Sequence, residues 1–530
     1  MKALILGLDG ATFTVLDPLI ADGVMPALGS LMGSGTKAIL KSVVPPLTPP
    51  AWTSLMTGRT PGNHGVFDFF RRESADNHHI RFTNFQDIGS ETIWSIAARH
   101  QKKVTSLNFP LMYPPPEVPG FIVPGWIPWK LMRLACHPEG LVNEFDNLPD
   151  FNLRELAIDI ELEDKAIEGC PEDEYVDWVK LHARREENWF KIFEYLMQKD
   201  ECELMAVLFD GVDKLQHLCW RFVDPAFAHT LTTERDRRIR EACLDYFRRL
   251  DQLIGRIIEL VGPETRIFVV SDHGFGPTFE VFNVNAWLEK NGYLTWSGSN
   301  HAEHGDAMIG VGHVARHTFE LDWSKTKAFA TTPTSNGIFI NSGDDRGLAD
   351  SEYYPFISEL SARLLEVRDP DSGEPIVTKI WTRDEAFSGP FKPLAPDLTL
   401  ATRDGGLVSI LPNSEILTRR DQIAGAHRPE GVFIASGPGI RPGATAEELS
   451  IVDVAPTVLY TLGIEVPEDL DGKVPERIFE ADALADDPIK VGGRTVYKAA
   501  EWQSPKTETQ LTSDEEARLI ARMRELGYME

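Results

Sequence analysis

Four aspartates in this 530-residue sequence stand at or just after the ends of short apolar runs, where they could hold a metal ion. Runs of Val, Ile and Leu that are bounded by Gly and Asp predict buried strands of a parallel sheet. Ligands of such sheets bind at the carboxyl ends of the strands, which is where these acids fall. The runs cover residues 3–8, 204–209 and 267–270, and the acids are Asp9, Asp210, Asp213 and Asp272. Asp210 has no histidine one helical turn away, so Asp213 is the better ligand of that pair.

Three histidines add nitrogen ligands to these oxygen ligands. Asp213 and His217 are four residues apart, so a helix would place both on one face. His273 follows Asp272 directly, and His427 precedes a further apolar run. Mixed nitrogen and oxygen donors suit Zn²⁺ well and Mn²⁺ acceptably. A single Asp after a strand is more often a helix cap, but the set as a whole predicts a metal site.

A hydroxyl nucleophile for this site is predicted at Thr48. It lies in the proline-rich loop 43–50, ahead of a helix-like stretch at 51–56, so its oxygen would point at a helix N-terminus, where anions are stabilised. The same residue types also form helix N-caps, and Thr53 and Ser54 are competing hydroxyls. From the residues alone, Thr48 could therefore be either a nucleophile or a helix cap.

The elements that must position these residues follow from the spacing of apolar side chains. Residues at i, i+3 and i+4 predict long helices at 176–199 and 234–260, and both helices lead into strands that end in the acids. The other predicted helices are 15–32, 51–56, 91–100 and 452–462, and further strands are predicted at 103–107 and 431–437. This alternation of strands and helices predicts an α/β protein with helices flanking a mostly parallel sheet.

Composition and charge restrict the classes of partner. The hydrophobic fraction of 42% and the charged fraction of 25% are those of an ordinary globular protein. The formal net charge of -28 argues against a nucleic-acid polymer as partner, because affinity for its phosphates comes mainly from Lys and Arg. A small phosphorylated molecule stays compatible with this charge, since bound divalent cations can reverse the potential inside a cleft.

The five cysteines predict free thiols in a reducing compartment, because their number is odd and no C-x-x-C motif occurs. The first apolar run is interrupted at Asp9 and is too short for a signal peptide. No apolar stretch is long enough to span a bilayer. We therefore expect a cytoplasmic protein without a membrane partner, and the oligomeric state stays open.

In order and rough spacing, these residues resemble the alkaline phosphatase superfamily and, within it, the type I phosphodiesterase/nucleotide pyrophosphatase family. The motifs that carry the resemblance are Asp9-Gly10, the loop around Thr48, Thr57-Gly58, His64-Gly65, Asp213 with His217, Asp272-His273-Gly274, His427 and the segment 451–457. The resemblance implies a three-layer α/β/α sandwich around a mostly parallel central sheet. It spans roughly residues 1–290 and 420–480.

The resemblance also implies an activity, that of a two-metal phosphoester hydrolase of the phosphodiesterase or pyrophosphatase type. It assigns one divalent ion to Asp9, Thr48, Asp272 and His273, and the other to Asp213, His217 and His427. It further implies that Thr48 is the nucleophile and is transiently phosphorylated. The expected cofactors are two divalent ions, Zn²⁺ or Mn²⁺, and the expected substrate is a small phosphate-containing molecule.

The sequence departs from the family where nucleotides are recognised. The family carries an Asn soon after the nucleophile and another after the His-Gly segment, but Pro50 and Ala51 stand at the first place and the segment 66–72 has none. Arg71 and Arg72 are predicted to bind a substrate phosphate instead, although such a pair more often forms surface or ion-pair contacts. Whether the substrate is a nucleotide therefore stays open.

Two alternative functions stay open as well. A metal-dependent phosphomutase or phosphomonoesterase of the same superfamily would use the same ligands, and the mutase would return the phosphoryl group to another oxygen of the substrate. The discriminating feature is whether the inserted unit excludes water. A non-catalytic metal-binding relative is disfavoured, because the ligand set is intact.

Three parts of the chain are expected from these patterns. A catalytic core is predicted at 1–290 and 420–490, an inserted cap subdomain at 291–419, and a C-terminal helical tail at 491–530. The tail helix is predicted by the capping box 513–516 and the apolar stripe after it. Four histidines between 301 and 317 lie in a Gly-rich stretch, which favours a loop over a second metal site.

Overall fold

The computed structural model describes residues 2–72, 80–157, 171, 174–297, 320–342 and 350–496. Its strands are β1 Lys2–Leu8, β2 Thr36–Lys41, β3 Phe70–Arg72, β4 Ile80–Phe82, β5 Val104–Leu107, β6 Gly120–Val123, β7 Leu204–Phe209, β8 Thr265–Val270, β9 Gly274–Asn283, β10 Ala328–Phe329, β11 Gly337–Ile340, β12 Val377–Thr382, β13 Leu398–Thr402, β14 Val408–Ser409, β15 Leu417–Arg428, β16 Glu430–Ser436, β17 Ala444–Thr445 and β18 Leu449–Ser450.

The α-helices are α1 Phe13–Ala21, α2 Pro26–Gly33, α3 Thr48–Thr57, α4 Pro61–His64, α5 Ile93–Arg99, α6 Trp129–Ala135, α7 Val142–Phe145, α8 Leu153–Leu156, α9 Tyr175–Lys199, α10 Gly211–Val223, α11 Glu234–Val261, α12 Val284–Lys290, α13 Asp350–Leu365, α14 Arg383–Ala386, α15 Val454–Thr461 and α16 Ala481–Asp486. Short 3₁₀ helices cover Phe85–Asp87, Pro225–Thr230, Lys392–Leu394, Ile451–Asp453 and Glu476–Ile478.

A nine-stranded sheet in the order β17-β2-β16-β8-β1-β7-β5-β6, with β18 also paired to β2, forms the centre of the fold. The five neighbours β8, β1, β7, β5 and β6 are mutually parallel, and β16 runs antiparallel between β8 and β2. β1 and its two neighbours are buried along almost their whole length, as continuous apolar runs of a parallel sheet require.

Helices cover both faces of this sheet. Successive side chains of a strand point to opposite faces, so Leu4 and Leu6 of β1 pack among α1, α2, α9, α10 and α11, whereas Ala3 and Ile5 pack among α3, α5 and α15. Burial of each Leu or Ile side chain stabilises the fold by roughly 1.5–3 kcal/mol. The predicted three-layer α/β/α sandwich around a mostly parallel sheet is confirmed.

Two predicted helix boundaries were wrong, and proline contributes to both differences. The segment 15–32 forms two helices rather than one, since Gly23 takes a positive φ of 72° and Pro26 starts α2. Helix α3 begins at Thr48 rather than at 51, because Pro49 and Pro50 occupy its first turn, where a missing N–H breaks no helical hydrogen bond. The long helices α9 and α11 and the strand β5 were predicted correctly.

A further hydrophobic core is built mostly from the part predicted as the inserted unit, together with α12 just before it. The four-stranded antiparallel sheet β10-β11-β13-β12 packs with α12 and α13 around side chains such as Leu360 and Leu398. β9 and β15, which lead into and out of this part, pair antiparallel with each other. The boundaries 291 and 419 stay a prediction, and the tail 497–530 and the four histidines between 301 and 317 lie outside the described residues.

Among the described helices, none is by itself long and apolar enough to cross a membrane; α1 and α2 reach that length and apolarity only together, with a 103° bend between them. Four of the five cysteines lie in the described part, and all four are buried and form no disulfide bond with one another: Cys136, Cys202, Cys219 and Cys243.

Candidate active site

The carboxyl ends of β1, β7 and β8 bring the predicted acids together. β1 lies between the other two strands, and its last residues are in register with theirs. Asp9 follows β1 directly, Asp272 stands two residues after β8, and Asp213 lies in the first turn of α10 after β7. All three carboxylates are buried, so they meet at one edge of the sheet as the sequence predicts.

Each of these carboxylates has one oxygen that no hydrogen-bond donor of the described residues reaches. Asp9 Oδ2 accepts the indole N–H of Trp52 at 3.0 Å, and Asp272 Oδ1 accepts the backbone N–H of Gly10 at 3.1 Å. The remaining oxygens Asp9 Oδ1, Asp213 Oδ1 and Asp272 Oδ2 are buried and have no hydrogen-bond partner among the described residues. Unmet buried acceptors of this kind cost free energy, and a bound cation would satisfy all of them.

The three histidines present nitrogen lone pairs to the same place. In each ring Nδ1 lies within hydrogen-bond distance of a backbone carbonyl, which can only accept, so the neutral ring carries its proton on Nδ1 and leaves Nε2 as a ligand. The distances are 3.2 Å from His217 to Gly425, 3.1 Å from His273 to Gly274 and 2.9 Å from His427 to Pro46. The backbone thus fixes the tautomer that a metal ion requires.

Asp213 lies between the two predicted ion sites. Its Oδ1 is 3.5 Å from Nε2 of His217, 3.3 Å from Nε2 of His427 and 3.9 Å from Nε2 of His273. Donor atoms of Asp213, His217 and His427 lie within 4.8 Å of one another, and so do those of Asp9, Asp213 and His273. Asp272 Oδ2 lies 3.2 Å from His273 Nε2. This donor set fits divalent ions that accept both nitrogen and oxygen.

The electrostatics of the cluster also favour cations. Burial, together with the carboxylates of Asp272 and Asp213, raises the pKa of Asp9 well above its usual range, and burial raises the pKa of Asp272 to about 7. Burial also acts to raise the pKa of Asp213, but His217 and His427 outweigh it and hold that pKa below its usual range. Burial lowers the pKa of His217 to about 4. Like charges this close must be neutralised by protons or by metal ions.

Thr48 completes the cluster as the first residue of the fully buried helix α3. Its Oγ1 lies 3.4 Å from His273 Nε2. The helix terminus offers fewer N–H donors to an anion than expected, because Pro49 and Pro50 have none and the Ala51 N–H is bonded to Leu47. The hydroxyl and the helix dipole are therefore the main features that this terminus contributes.

The His64-Gly65 motif holds α3 in place through a hydrogen bond to Ser54 of that helix. His64 Nδ1 accepts the N–H of Val66 at 3.2 Å, so its Nε2 carries the proton and donates to Ser54 Oγ at 2.8 Å. Burial lowers the pKa of His64 to about 3, which keeps the ring neutral. Gly65 ends the short helix α4 with a positive φ of 83°, so this motif supports the helix that carries Thr48.

The structure places Arg71 and Arg72 apart from this cluster. Arg71 Nη1 forms an ion pair with Asp87 at 2.8 Å, and the Arg72 guanidinium lies 5.5 Å from the centroid of the Phe339 ring. Both side chains line a polar cavity of about 180 Å³ between the segment 65–72 and the part predicted as the inserted unit, and none of the seven predicted metal-site residues lines it. A role in substrate binding stays a prediction.

Sequence reasoning missed the residues that orient the ligands. Trp52 stands one helical turn after Thr48 in α3. This spacing could have identified Trp52 as a residue on the same helix face as Thr48, close to the site. Gly10 takes a positive φ of 64°, and a Cβ there would lie 2.6 Å from the Phe275 ring, so only glycine fits beside Asp272. The carbonyls that fix the histidines left no signal in the sequence.

Comparisons with known proteins identify the family of this chain. The family model described as type I phosphodiesterase/nucleotide pyrophosphatase matches residues 3–427. The solved structure of phosphonoacetate hydrolase from Sinorhizobium meliloti, in complex with phosphonoacetate, is 17% identical with a TM-score of 0.51, over 86% of this chain and 94% of that one. At this identity the likeness shows the fold.

Murine ectonucleotide pyrophosphatase/phosphodiesterase 5 is 14% identical with a TM-score of 0.47, over 88% of this chain and 95% of that one. An inactive form of the murine protein in complex with AMP gives a TM-score of 0.48 at the same identity and coverage. No curated protein matches the sequence significantly. The family match covers most of the chain, and the chain therefore belongs to the type I phosphodiesterase/nucleotide pyrophosphatase family.

Proposed function

We propose that the protein hydrolyses phosphoesters of the diester or pyrophosphate type through a covalent intermediate on Thr48. Family membership supports a hydrolase of this class. The observation that carries the mechanism is the position of the Thr48 hydroxyl, 3.4 Å from His273 Nε2, at the border of a buried group of unpaired carboxylate oxygens. A hydroxyl that only caps the helix would not need to face these carboxylate oxygens.

Two divalent ions, Zn²⁺ or Mn²⁺, are the proposed cofactors, and their ligands are distributed as the family resemblance implies. Asp9, Thr48, Asp272 and His273 would hold one ion, and Asp213, His217 and His427 would hold the other. Bound there, the ions would lower the pKa of the Thr48 hydroxyl and neutralise charge on the phosphoryl oxygens.

The chain's own groups account for the rest of the reaction. In the first step the Thr48 oxygen bonds to phosphorus, the bond from phosphorus to the leaving oxygen breaks, and that oxygen takes up a proton. In the second step the oxygen of a water molecule bonds to phosphorus, the bond to Thr48 breaks, and Thr48 regains its proton. Burial of the whole helix α3 holds the hydroxyl in place for both steps.

The test is turnover of bis(4-nitrophenyl) phosphate and of 4-nitrophenyl phosphate by the Zn²⁺-loaded protein. We expect the diester to be the better substrate and Thr48→Ala to lose about 10³-fold or more of kcat. Thr53→Ala is the matched control, since Thr53 is a buried threonine of the same helix whose hydroxyl has no hydrogen-bond partner among the described residues.

Full diesterase activity in Thr48→Ala would overturn the assignment of the nucleophile. A monoester preference in the wild type would favour the phosphomonoesterase or phosphomutase alternative. The proposed substrate is a small phosphate-containing molecule rather than a nucleic-acid polymer, and a cytoplasmic location remains part of the proposal.

A further inference from the structure

A fully buried glutamine, Gln216, lies in α10 three residues after Asp213 and directly before His217. Its side-chain Nε2 donates to the backbone carbonyl of Gly10 at 2.8 Å, although 206 residues separate the two in the chain. A carbonyl oxygen can only accept, so this contact fixes which end of the amide is the nitrogen. Gln216 has no part in the hydrolysis proposed above.

The residue that accepts this bond holds a carboxylate of the metal cluster. The N–H of Gly10 donates to Asp272 Oδ1 at 3.1 Å, which leaves Asp272 Oδ2 unpaired among the described residues. Gly10 also follows Asp9 directly in the chain. The carbonyl and the N–H of this single residue therefore connect Gln216 to Asp272.

Gly10 depends on such contacts to keep one conformation. Its φ is 64°, in the left-handed region, and glycine moves between positive and negative φ more readily than any other residue. A Cβ at this position would lie 3.1 Å from Asp213 Oδ1, so the backbone of Gly10 lies directly beside the cluster. A small displacement of Gly10 would change the direction of its N–H and with it the orientation of Asp272.

The turn that contains Gly10 is held from two different elements. Next to β8, Ser271 Oγ donates to the carbonyl of Ala11 at 3.1 Å and accepts the N–H of Val432 at 2.7 Å. From α10, Gln216 holds the carbonyl of Gly10. Because the two contacts are independent, loss of the glutamine amide would loosen the turn on one side and leave it attached on the other.

The helix that carries Gln216 is anchored at its own first residue. The N–H of Gly211 donates to Oε1 of Glu186, a buried residue of α9, at 2.7 Å. Burial raises the pKa of this carboxyl to about 8, and a carboxyl oxygen can accept the bond whether or not its partner oxygen carries a proton. A fixed helix can therefore set the position of the more flexible turn at Gly10.

We propose that Gln216 is a positioning residue that orients Asp272 through Gly10. It thereby stabilises the ion that attends the Thr48 hydroxyl, although it lies on the helix that carries ligands of the other ion. This inference rests on the proposed function and deepens it, because it assigns to one ion a residue that contacts neither substrate nor metal.

The test measures Zn²⁺ affinity by competition titration in two backgrounds that each keep one predicted site. His427→Ala keeps the ion that attends Thr48, and Asp272→Ala keeps the ion of Asp213 and His217. Gln216→Met, which has a similar size but no N–H donor, is then added to each background.

We expect Gln216→Met to weaken Zn²⁺ binding by about 10- to 100-fold in the His427→Ala background, as loss of a ligand-orienting group typically does, and by less than about threefold in the Asp272→Ala background. Gln216→Asn, whose amide is one methylene shorter, should give the same pattern. The result then does not depend on how well one variant folds.

Asn285→Leu is the matched control. Asn285 is a fully buried amide of α12 whose Nδ2 donates to the carbonyls of Ala330 and Ile410, outside the metal cluster. Its replacement also removes a buried amide in favour of an apolar side chain of similar size, so it should cost stability in the same way. The control should leave Zn²⁺ affinity unchanged in both backgrounds.

A purely structural role of Gln216 would give a different pattern. A general loosening of α10 would displace Asp213 and His217, which lie on the same helix, and would weaken Zn²⁺ binding in the Asp272→Ala background at least as much. Equal weakening in the two backgrounds, or no weakening in the His427→Ala background, would overturn the positioning role and leave the proposed function standing.

A second readout is the Zn²⁺ dependence of bis(4-nitrophenyl) phosphate turnover by Gln216→Met in the otherwise wild-type chain. We expect activation to need about tenfold more free Zn²⁺ or higher, with kcat returning close to the wild-type value at saturation. A kcat that stays low at saturating Zn²⁺ would contradict a role through the metal ligand. Absence of turnover by the wild type would overturn the proposed hydrolysis, whereas the Zn²⁺ affinities would still decide the role of Gln216.

Discussion

Nε2 of His217 lies 3.0 Å from Nε2 of His427, although 210 residues separate the two in the chain. Both rings direct Nδ1 at a backbone carbonyl, so the facing nitrogens both carry lone pairs. Two lone pairs at this distance repel each other unless a cation lies between them. Asp213 Oδ1 lies 3.5 Å and 3.3 Å from these nitrogens, so it would be the third donor atom of the proposed metal site.

His427→Ala should therefore remove one ion. We expect elemental analysis of protein purified without chelator to give about two ions per chain for the wild type and about one for the variant. His229→Ala is the control, because His229 is exposed and lies in the 3₁₀ helix after α10. Two ions in His427→Ala, or fewer than two in the wild type, would contradict the two-metal proposal.

Covalent phosphorylation should be detectable on Thr48. Because breakdown of the intermediate is a separate step, acid quenching during turnover of the diester should trap a phosphothreonine. Peptide mass spectrometry should locate the phosphate at residue 48 and find none in Thr48→Ala. Thr53 and Ser54 in the same peptide provide an internal control. Phosphate on either of these two residues would show that the wrong hydroxyl had been assigned.

Trp52→Phe should weaken metal binding through Asp9. The substitution removes the indole N–H that Asp9 Oδ2 accepts at 3.0 Å, and loss of a group that orients a ligand typically costs 10- to 100-fold in metal affinity. We expect a weakening of about that size in a Zn²⁺ competition titration.

Trp94→Phe provides the matched control for this change. Trp94 is equally buried and packs in the same core, but its indole nitrogen faces the Met56 sulfur instead of a carboxylate. Both variants should lose stability from the smaller ring, so only the difference in metal affinity is diagnostic. Equal Zn²⁺ affinity in the two variants would show that Trp52 does not orient Asp9.

Glu186→Gln should flatten the pH dependence of stability. The pKa of Glu186 is about 8 in the folded protein against 4.5 in the unfolded chain, so the folded state holds the extra proton between these values. Its stabilising contribution is complete below pH 4.5 and is lost as pH rises through 8. The slope is at most about 1.4 kcal/mol per pH unit.

The measurement is the free energy of unfolding of the Zn²⁺-loaded protein by urea between pH 6 and 8.5. Glu187→Gln is the control, since Glu187 is the next residue and pairs with Arg249 at an exposed position. We expect a smaller fall with pH in Glu186→Gln than in the wild type or the control. Identical slopes in all three proteins would mean that Glu186 is already ionised at neutral pH.

Local patterns were sufficient to predict the sheet and the acids of the site. Apolar runs that stop at Asp9 and at Asp272 define strand ends, because a buried strand must give way to polar residues where its sheet meets solvent or a ligand. The four-residue spacing of Asp213 and His217 fixed their common face, since the helical period is a local property. The long amphipathic helices α9 and α11 were predictable for the same reason.

Tertiary structure decided everything that depends on distant segments. His427 can present Nε2 to a metal ion only because its Nδ1 donates to the carbonyl of Pro46, 381 residues away, and backbone carbonyls have no signature in a sequence. The start of α3 at Thr48 could not be predicted from the sequence, because Pro49 and Pro50 are compatible both with a loop and with the first turn of a helix. Arg185 approaches Asp210 to 3.8 Å because α9 packs against α10, and no spacing in the chain encodes that meeting.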